Sequence, residues 1–299
     1  MICVLSVCDR GGTEHRKKQN TLQAGYAADE KVTGTRRFPP DMRPPIVLSI
    51  SSLLLTACVH TPPPHPRALQ NNELCVRYLA QNDLERADVH CDLALEFSPQ
   101  YADAWTNKGI IAMRRRRIPE AKDDLIKALR YNQEQAQAYH NLGTIYLEEK
   151  NYGPARDNFE RALKVNPDYA EARYALGLTL LKMGSLDASW KQFLTLVEVY
   201  PHFPDAHHGL ATVAYQQGRY AVAEQEMRRV VELSPDRADG FHDLGEAQMK
   251  LNRFCEGVES FRTCLQRDKG SVECSDALEL AQRRCALNAT AIGGAGATP

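Results

Sequence analysis

The sequence predicts an all-α chain: a superhelix of six helix-turn-helix units closed by a C-terminal capping helix. Three observations lead there. Pro99, Pro167, Pro201 and Pro235 recur at spacings of 68, 34 and 34 residues. From residue 68 onward Ala, Leu, Glu and Arg dominate, and strand-rich stretches are scarce. Small and large apolar residues return at fixed places in each 34-residue unit, and a repeat of that length is the mark of a solenoid.

The composition bounds the partners. The 299 residues suffice for one large domain or two small ones. Lys+Arg number 37 and Asp+Glu 38, a net charge of −1 that argues against a nucleic-acid partner. With 43% hydrophobic residues and a mean hydropathy of −0.45, the chain suits a soluble domain with a core.

Residues 1–41 are polar, contain "HRKK" and "TRR", and lack periodicity. The simplest expectation is that translation begins at Met42; the alternative is a long basic n-region, and either way this stretch, with Cys3 and Cys8, is expected to be absent from the mature protein. Residues 42–57 read as a signal peptide. Arg43 precedes an apolar run of twelve residues, Ile46 to Ala57, too short to span a bilayer. The run ends Leu55-Thr56-Ala57-Cys58, which resembles a bacterial lipobox. That resemblance implies a thiol at Cys58 that takes diacylglycerol and becomes the mature amino terminus. The plainer reading, a buried helix with an ordinary cysteine, sits poorly with the proline-rich flanks. Residues 58–67 then form a spacer whose three consecutive prolines favour polyproline II. Val59 after the cysteine, in place of Asp, favours the outer membrane by the rule for enteric lipoproteins. The acyl chains would supply the anchor, with the domain facing the periplasm.

The six units are 68–101, 102–135, 136–169, 170–203, 204–237 and 238–271. The third shows the pattern best, with Tyr139, Leu142, Gly143, Tyr146, Ala155, Phe159, Ala162 and Pro167. The second has Trp105, Gly109, Ala121 and Ala128; the fourth Leu176, Gly177, Phe193 and Pro201; the sixth Phe241, Leu244, Gly245 and Phe261. The first has Leu74, Tyr78, Ala87 and Ala94. These positions resemble the signature of the tetratricopeptide (TPR) repeat. That resemblance implies two antiparallel helices per unit, small residues where backbones approach, and a proline that stops the second helix. No unit buries its own apolar face, so neighbours must stack. Residues 272–289 are expected to cap the stack, with Leu278, Leu280 and Ala281 toward it and Glu279, Gln282 and Arg283 toward water. Residues 290–299 read as a disordered tail.

Six cysteines remain once the leader and Cys58 are set aside. In an antiparallel hairpin, facing residues are centred on the turn. Cys75 and Cys91 are centred on residue 83, in the expected turn "QND". Cys264 with Cys274, and Cys255 with Cys285, are centred on Lys269-Gly270. We therefore expect three bridges, Cys75–Cys91, Cys264–Cys274 and Cys255–Cys285, stapling the units that lack a neighbour on one side. Buried free thiols are the plainer alternative; the oxidising compartment implied by the lipobox favours bridges.

No nucleophile elbow, phosphate loop, HExxH or Cys/His pair is present, so no enzyme activity, cofactor, metal or small-molecule substrate is expected. The "RRRR" at 114–117 sits in the turn of the second unit, read foremost as solvated and otherwise as a contact to an anionic patch. In TPR arrays the concave groove is lined by positions 2, 5, 9 and 12 of each first helix. By that rule it includes Ile110, Met113, His140, Thr144, Leu147, Tyr174, Leu178, Leu181, His208, Thr212, Tyr215, His242 and Met249. Asp103, Glu171, Asp205 and Asp239 fall at one rim. An apolar and aromatic lining with an acidic rim suits a peptide or helix with apolar anchors and basic flanks. The lysine- and asparagine-rich clamp of chaperone-binding TPR domains is not matched. A metal ladder through the position-5 histidines is disfavoured, because histidines on adjacent repeats are expected too far apart.

A lipobox, a proline spacer and six TPR units resemble the pilotin lipoproteins of type IV pilus systems (PilF, PilW and Tgl), and the cysteine-stapled ends favour the Tgl branch. The resemblance implies binding of a secretin subunit in the groove and promotion of its multimerisation in the outer membrane. Two alternatives stay open: an envelope scaffold for peptidoglycan enzymes or proteases, and an assembly factor for outer-membrane barrels.

Overall fold

The computed structural model describes residues 63–294, with side chains through residue 288; Cys58, the leader and residues 295–299 lie outside the described residues. Among the described residues there are thirteen helices and no strand. They pair as α1 (Pro66–Ala80) with α2 (Leu84–Phe97), α3 (Ala102–Arg114) with α4 (Ile118–Tyr131), and α5 (Ala136–Glu148) with α6 (Tyr152–Val165). Then come α7 (Ala170–Lys182) with α8 (Leu186–Val199), α9 (Pro204–Gln216) with α10 (Tyr220–Leu233), and α11 (Ala238–Lys250) with α12 (Phe254–Arg267). Helix α13 (Val272–Gly294) packs mainly on α12. Each second helix also packs on the first helix of the next repeat, which is the stacking of a TPR superhelix. No helix among the described residues is long and apolar enough to cross a membrane.

The turn inside every repeat closes in the same way. The backbone enters the left-handed region at Asn82, Arg116, Lys150, Gly184, Gly218 and Asn252, at φ values from 57° to 74°. In the second repeat this lets Arg116 N donate to Met113 O at 2.9 Å and Arg117 N to Ala112 O at 2.8 Å. Those bonds satisfy carbonyls the helix end would otherwise leave unpaired. Glycine and asparagine tolerate the conformation; Arg116 and Lys150 hold it with a Cβ in place, at a cost of about 1 kcal/mol each.

The turns between repeats depend less on proline than the sequence suggests. Helices α4 and α12 stop in register with the others although no proline follows the cap. Side-chain oxygens do the work there: Asn132 Oδ1 accepts from Glu134 N at 2.9 Å and Asp268 Oδ1 from Gly270 N at 3.1 Å. The third repeat uses both devices, since Asn166 Oδ1 accepts from Asp168 N at 3.1 Å ahead of the proline register. These Asx turns offer the backbone an alternative to one more helical turn.

Inside a repeat, one contact sets the helix spacing. A Cβ on Gly143 would stand 2.7 Å from Phe159, and one on Gly177 2.7 Å from Phe193. One on Gly245 would stand 2.6 Å from Phe261. The three phenylalanines are fully buried, each stabilising its hairpin by roughly 2–3 kcal/mol. Phe193 also lies against Gly209, so it wedges repeats four and five together. The second repeat uses Gly109 under Leu125, and in the fifth Ala211 and Met227 hold the same places. In the first repeat those places are Cys75 and Cys91, joined covalently with Cα atoms 5.4 Å apart. Bonds Cys255–Cys285 and Cys264–Cys274, with Cα separations of 5.0 and 6.1 Å, tie α13 to α12.

Two boundaries and one inward-facing residue differ from the expectation. The spacer was expected to run to residue 67, but α1 begins at Pro66, where proline suits a first helical position and His65 Nδ1 caps Arg67 N at 3.1 Å. The capping helix was expected to end at 289, but its backbone continues to Gly294 through the Ala-rich "ATAI", which has no stop signal before the paired glycines. Leu280 was expected to face the array and is 51% exposed; Ala281 is the buried position, with Leu278 beside it.

The arginine run joins repeats one and two. Arg114 Nη1 donates to Leu79 O at 2.6 Å, and Arg115 Nη1 bonds Asp88 at 2.5 Å. Lys108 reaches the same Asp88 at 2.6 Å and Asp92 at 2.8 Å. Asp88 is held below its ordinary value by these cations, against the upward push of its burial.

Candidate functional site, the concave groove

The first helices α3, α5, α7, α9 and α11 carry every groove residue named from the repeat pattern, and each of those side chains is half-buried. Half-burial has a physical reason: one side of each residue fills the seam between repeats and the other stays open. Ile110 packs on the Cys75–Cys91 cluster, and Met113 on the core of repeats two and three. Leu147 packs on the cluster of Phe159 and Leu176. Tyr174, Leu178 and Leu181 pack around Phe193, and Met249 packs beside Phe261. Thr144 and Thr212 bond back along their own helices to His140 O and His208 O, at 3.0 and 2.8 Å.

The three position-5 histidines are not equivalent. His140 lies 5.7 Å from Phe159 and 5.1 Å from Tyr169, and burial lowers its pKa. His242 lies 5.7 Å from Phe261, in the matching place, yet its pKa is raised. The cause is Asp243, whose Oδ1 stands 3.0 Å from His242 Nδ1. His208 Nε2 meets the other oxygen of Asp243 at 3.0 Å. Asp243 is thus held near pKa 2, because two imidazoles outweigh the upward push of its burial. Histidines of adjacent repeats therefore meet on one carboxylate, closer than the repeat spacing suggested. Among the described residues no group of three His, Cys, Asp or Glu is arranged to hold a metal ion. The neighbour His207 points elsewhere and is structural, with Nδ1 2.7 Å from Glu226 and Nε2 3.1 Å from Pro201 O.

At repeats five and six the groove deepens into a cavity of about 400 Å³ lined by Ala211, Thr212, Tyr215, Gln216, Ala223, Met227, His242, Asp243 and Glu246. Thr212, Tyr215 and His242 are brought together here; the groove residues of repeats two to four are not among its walls. Sequence reasoning missed Asp243 and Glu246. Glu246 stands at position 9 of its helix and was within reach of the repeat rule; Asp243, at position 6, was not. The expected acidic rim is half neutralised, because Arg237 bridges Asp205 at 2.6 Å and Asp239 at 2.7 Å. Asp103 accepts a hydrogen bond from Gln135 Nε2.

With this geometry in hand, the likeness to known proteins is informative. A tetratricopeptide repeat model matches residues 106–157 and 174–238, and a TPR repeat model matches residues 143–184. The fold is similar to that of Pseudomonas aeruginosa PilF, with TM-score 0.63 and 20% identity over 70% of this chain and 96% of that one. It is similar to PilW, a widely conserved type IV pilus biogenesis factor, with TM-score 0.63 and 19% identity over 72% and 99% of the two chains. It is also similar to YrrB, a TPR protein with an unusual peptide-binding site, with TM-score 0.57 and 21% identity over 63% and 97%. No curated protein matches in sequence. At identities this low, the likeness shows a shared fold, the TPR superhelix.

Proposed function

We propose that this TPR solenoid is a non-enzymatic, lipid-anchored pilotin, which binds a segment of a secretin subunit in its groove and promotes secretin multimerisation in type IV pilus assembly. The observation that carries the reading is the line of half-buried side chains along α3 to α11, a surface open to a partner while anchored in the core. The likeness in fold to PilF and PilW over nearly their whole length points the same way. The sequence adds the lipobox at Cys58, which would hold the domain at the outer membrane, facing the periplasm. Three disulfides suit that oxidising compartment, and the stapled ends direct the reading to the Tgl branch. The mechanism is transport and shielding. Acyl chains carry the bound subunit to the membrane, and the groove covers an aggregation-prone segment until subunits assemble.

The test is genetic. Deletion of the gene should abolish heat- and detergent-resistant secretin multimers on a blot. Wild type should restore them and Cys58→Ala should not. Multimers unchanged by deletion would sink the proposal and favour a scaffold for cell-wall enzymes or a barrel-assembly factor.

A further inference from the structure

The cavity at repeats five and six has a chemistry the rest of the groove lacks. Its floor is apolar: Ala211 and Met227 are 0% and 3% exposed. Its rim carries two carboxylates, Asp243 and Glu246, and among the described residues no lysine or arginine lines it. The neighbouring cations are engaged away from it, Arg237 with Asp205 and Asp239, and Arg228 and Arg253 with Glu224. Asp243 is steadied by His208 and His242. Glu246 receives one long contact, from the Tyr215 hydroxyl at 3.4 Å, so its carboxylate has open acceptor positions. The local field is negative. Burial and the charges of Glu246 and Asp243 together push Tyr215 up to about 12.

We infer that this cavity receives an arginine side chain of the protein segment lying in the groove. The inference rests on the groove being the partner site, and it deepens that reading by naming the partner's chemistry. An arginine stem lies over Met227 and Ala211, and its guanidinium meets the Glu246 carboxylate beside the Tyr215 ring. Arginine fits better than lysine, because a planar fork both stacks on an aromatic face and bonds a carboxylate through two N–H groups.

The test uses an acetylated, amidated peptide, Ala-Leu-Ala-Arg-Ala-Leu-Ala, and the same peptide with citrulline in place of arginine. Each is titrated into the full domain while NMR follows the Tyr215 and His242 ring signals. The arginine peptide should bind about tenfold more tightly, the worth of a charge-assisted hydrogen bond. Glu246→Gln should close that gap, and Glu198→Gln, exposed on the second helix α8 and outside the groove, should leave it. Circular dichroism confirms that the variants fold. Equal binding of both peptides by wild type, or a gap that survives Glu246→Gln, overturns the inference. Secretin fragments separate it from the pilotin reading. If wild type and Glu246→Gln capture them equally, the arginine pocket falls and the groove stands. If wild type ignores them but still prefers arginine to citrulline, the pilotin reading falls and the pocket stands.

Discussion

The first and third repeats solve one packing problem by different chemistry. Both must hold two helices at close approach at the eighth and twenty-fourth positions of the unit. In the third repeat Phe159 lies over Gly143, where any Cβ would collide with the ring. In the first repeat a bond joins Cys75 to Cys91. Both contacts are sealed by the repeat that follows. Phe159 clusters with Leu176 and Leu180 of the fourth repeat. Cys75 and Cys91 are fully buried and cluster with Ile111 of the second. The difference is that the first repeat has no repeat before it, and there the two helices are tied covalently. The sixth repeat, at the other end, keeps Phe261 over Gly245 and adds two bridges to its cap. A solenoid end can therefore be closed by replacing the packing contact or by supplementing it.

This comparison can be broken at either end. The largest effect should come from Phe159→Ala, which empties a fully buried site and should cost about 3–5 kcal/mol in urea unfolding. Replacing the first-repeat bond by Cys75→Ser with Cys91→Ser should cost about 3 kcal/mol, since the bond closes a short loop of the unfolded chain. If the two solutions are interchangeable, Cys75→Gly with Cys91→Phe should recover part of that loss under reducing conditions. No recovery would show that an end repeat cannot use the aromatic contact. Lys150→Gly should stabilise by about 1 kcal/mol, because Lys150 holds φ at 60° where the fourth and fifth repeats carry glycine.

The smallest effects concern the two histidines that lie in matching places on Phe159 and Phe261. NMR titration should find His140 below and His242 above the ordinary value of 6.5. Asp243→Asn should bring His242 down. The sign for stability follows. His242 has a raised pKa, so its contribution is complete below the unfolded value and is lost as pH rises through the folded one. Asp243 has a pKa lowered from 3.8 to about 2, so its contribution is present above 3.8 and is lost as pH falls toward 2. Equal titration of the two histidines would remove Asp243 as the distinguishing group.

Much of the repeat was legible because it is local. The 34-residue period, the small-over-large contact and the cysteine register are one-dimensional facts, and a hairpin maps them onto space with little freedom. Even the left-handed turn was available, since Asn82, Gly184, Gly218 and Asn252 stand in register; Arg116 and Lys150 hid it by carrying the conformation without the usual residue type. The Asx turns of Asn132 and Asp268 were hidden behind the more visible prolines. The groove was legible as a face, through the repeat rule, but not as a site. Which side chains converge depends on the offset between stacked repeats, and no period in the sequence records that offset.

The sequence by itself determined the helical hairpins, their number and, within the six repeats, the residues that face inward, because backbone periodicity and steric fit act within a unit or between adjacent ones. Only the tertiary structure decided that His208 and His242 share Asp243, that Arg237 bridges Asp205 and Asp239, and that the groove deepens beside Glu246. The His208–Asp243 and Arg237–Asp205 contacts join residues about one repeat apart across a seam, where a few ångströms separate a carboxylate paired to histidine from one left open.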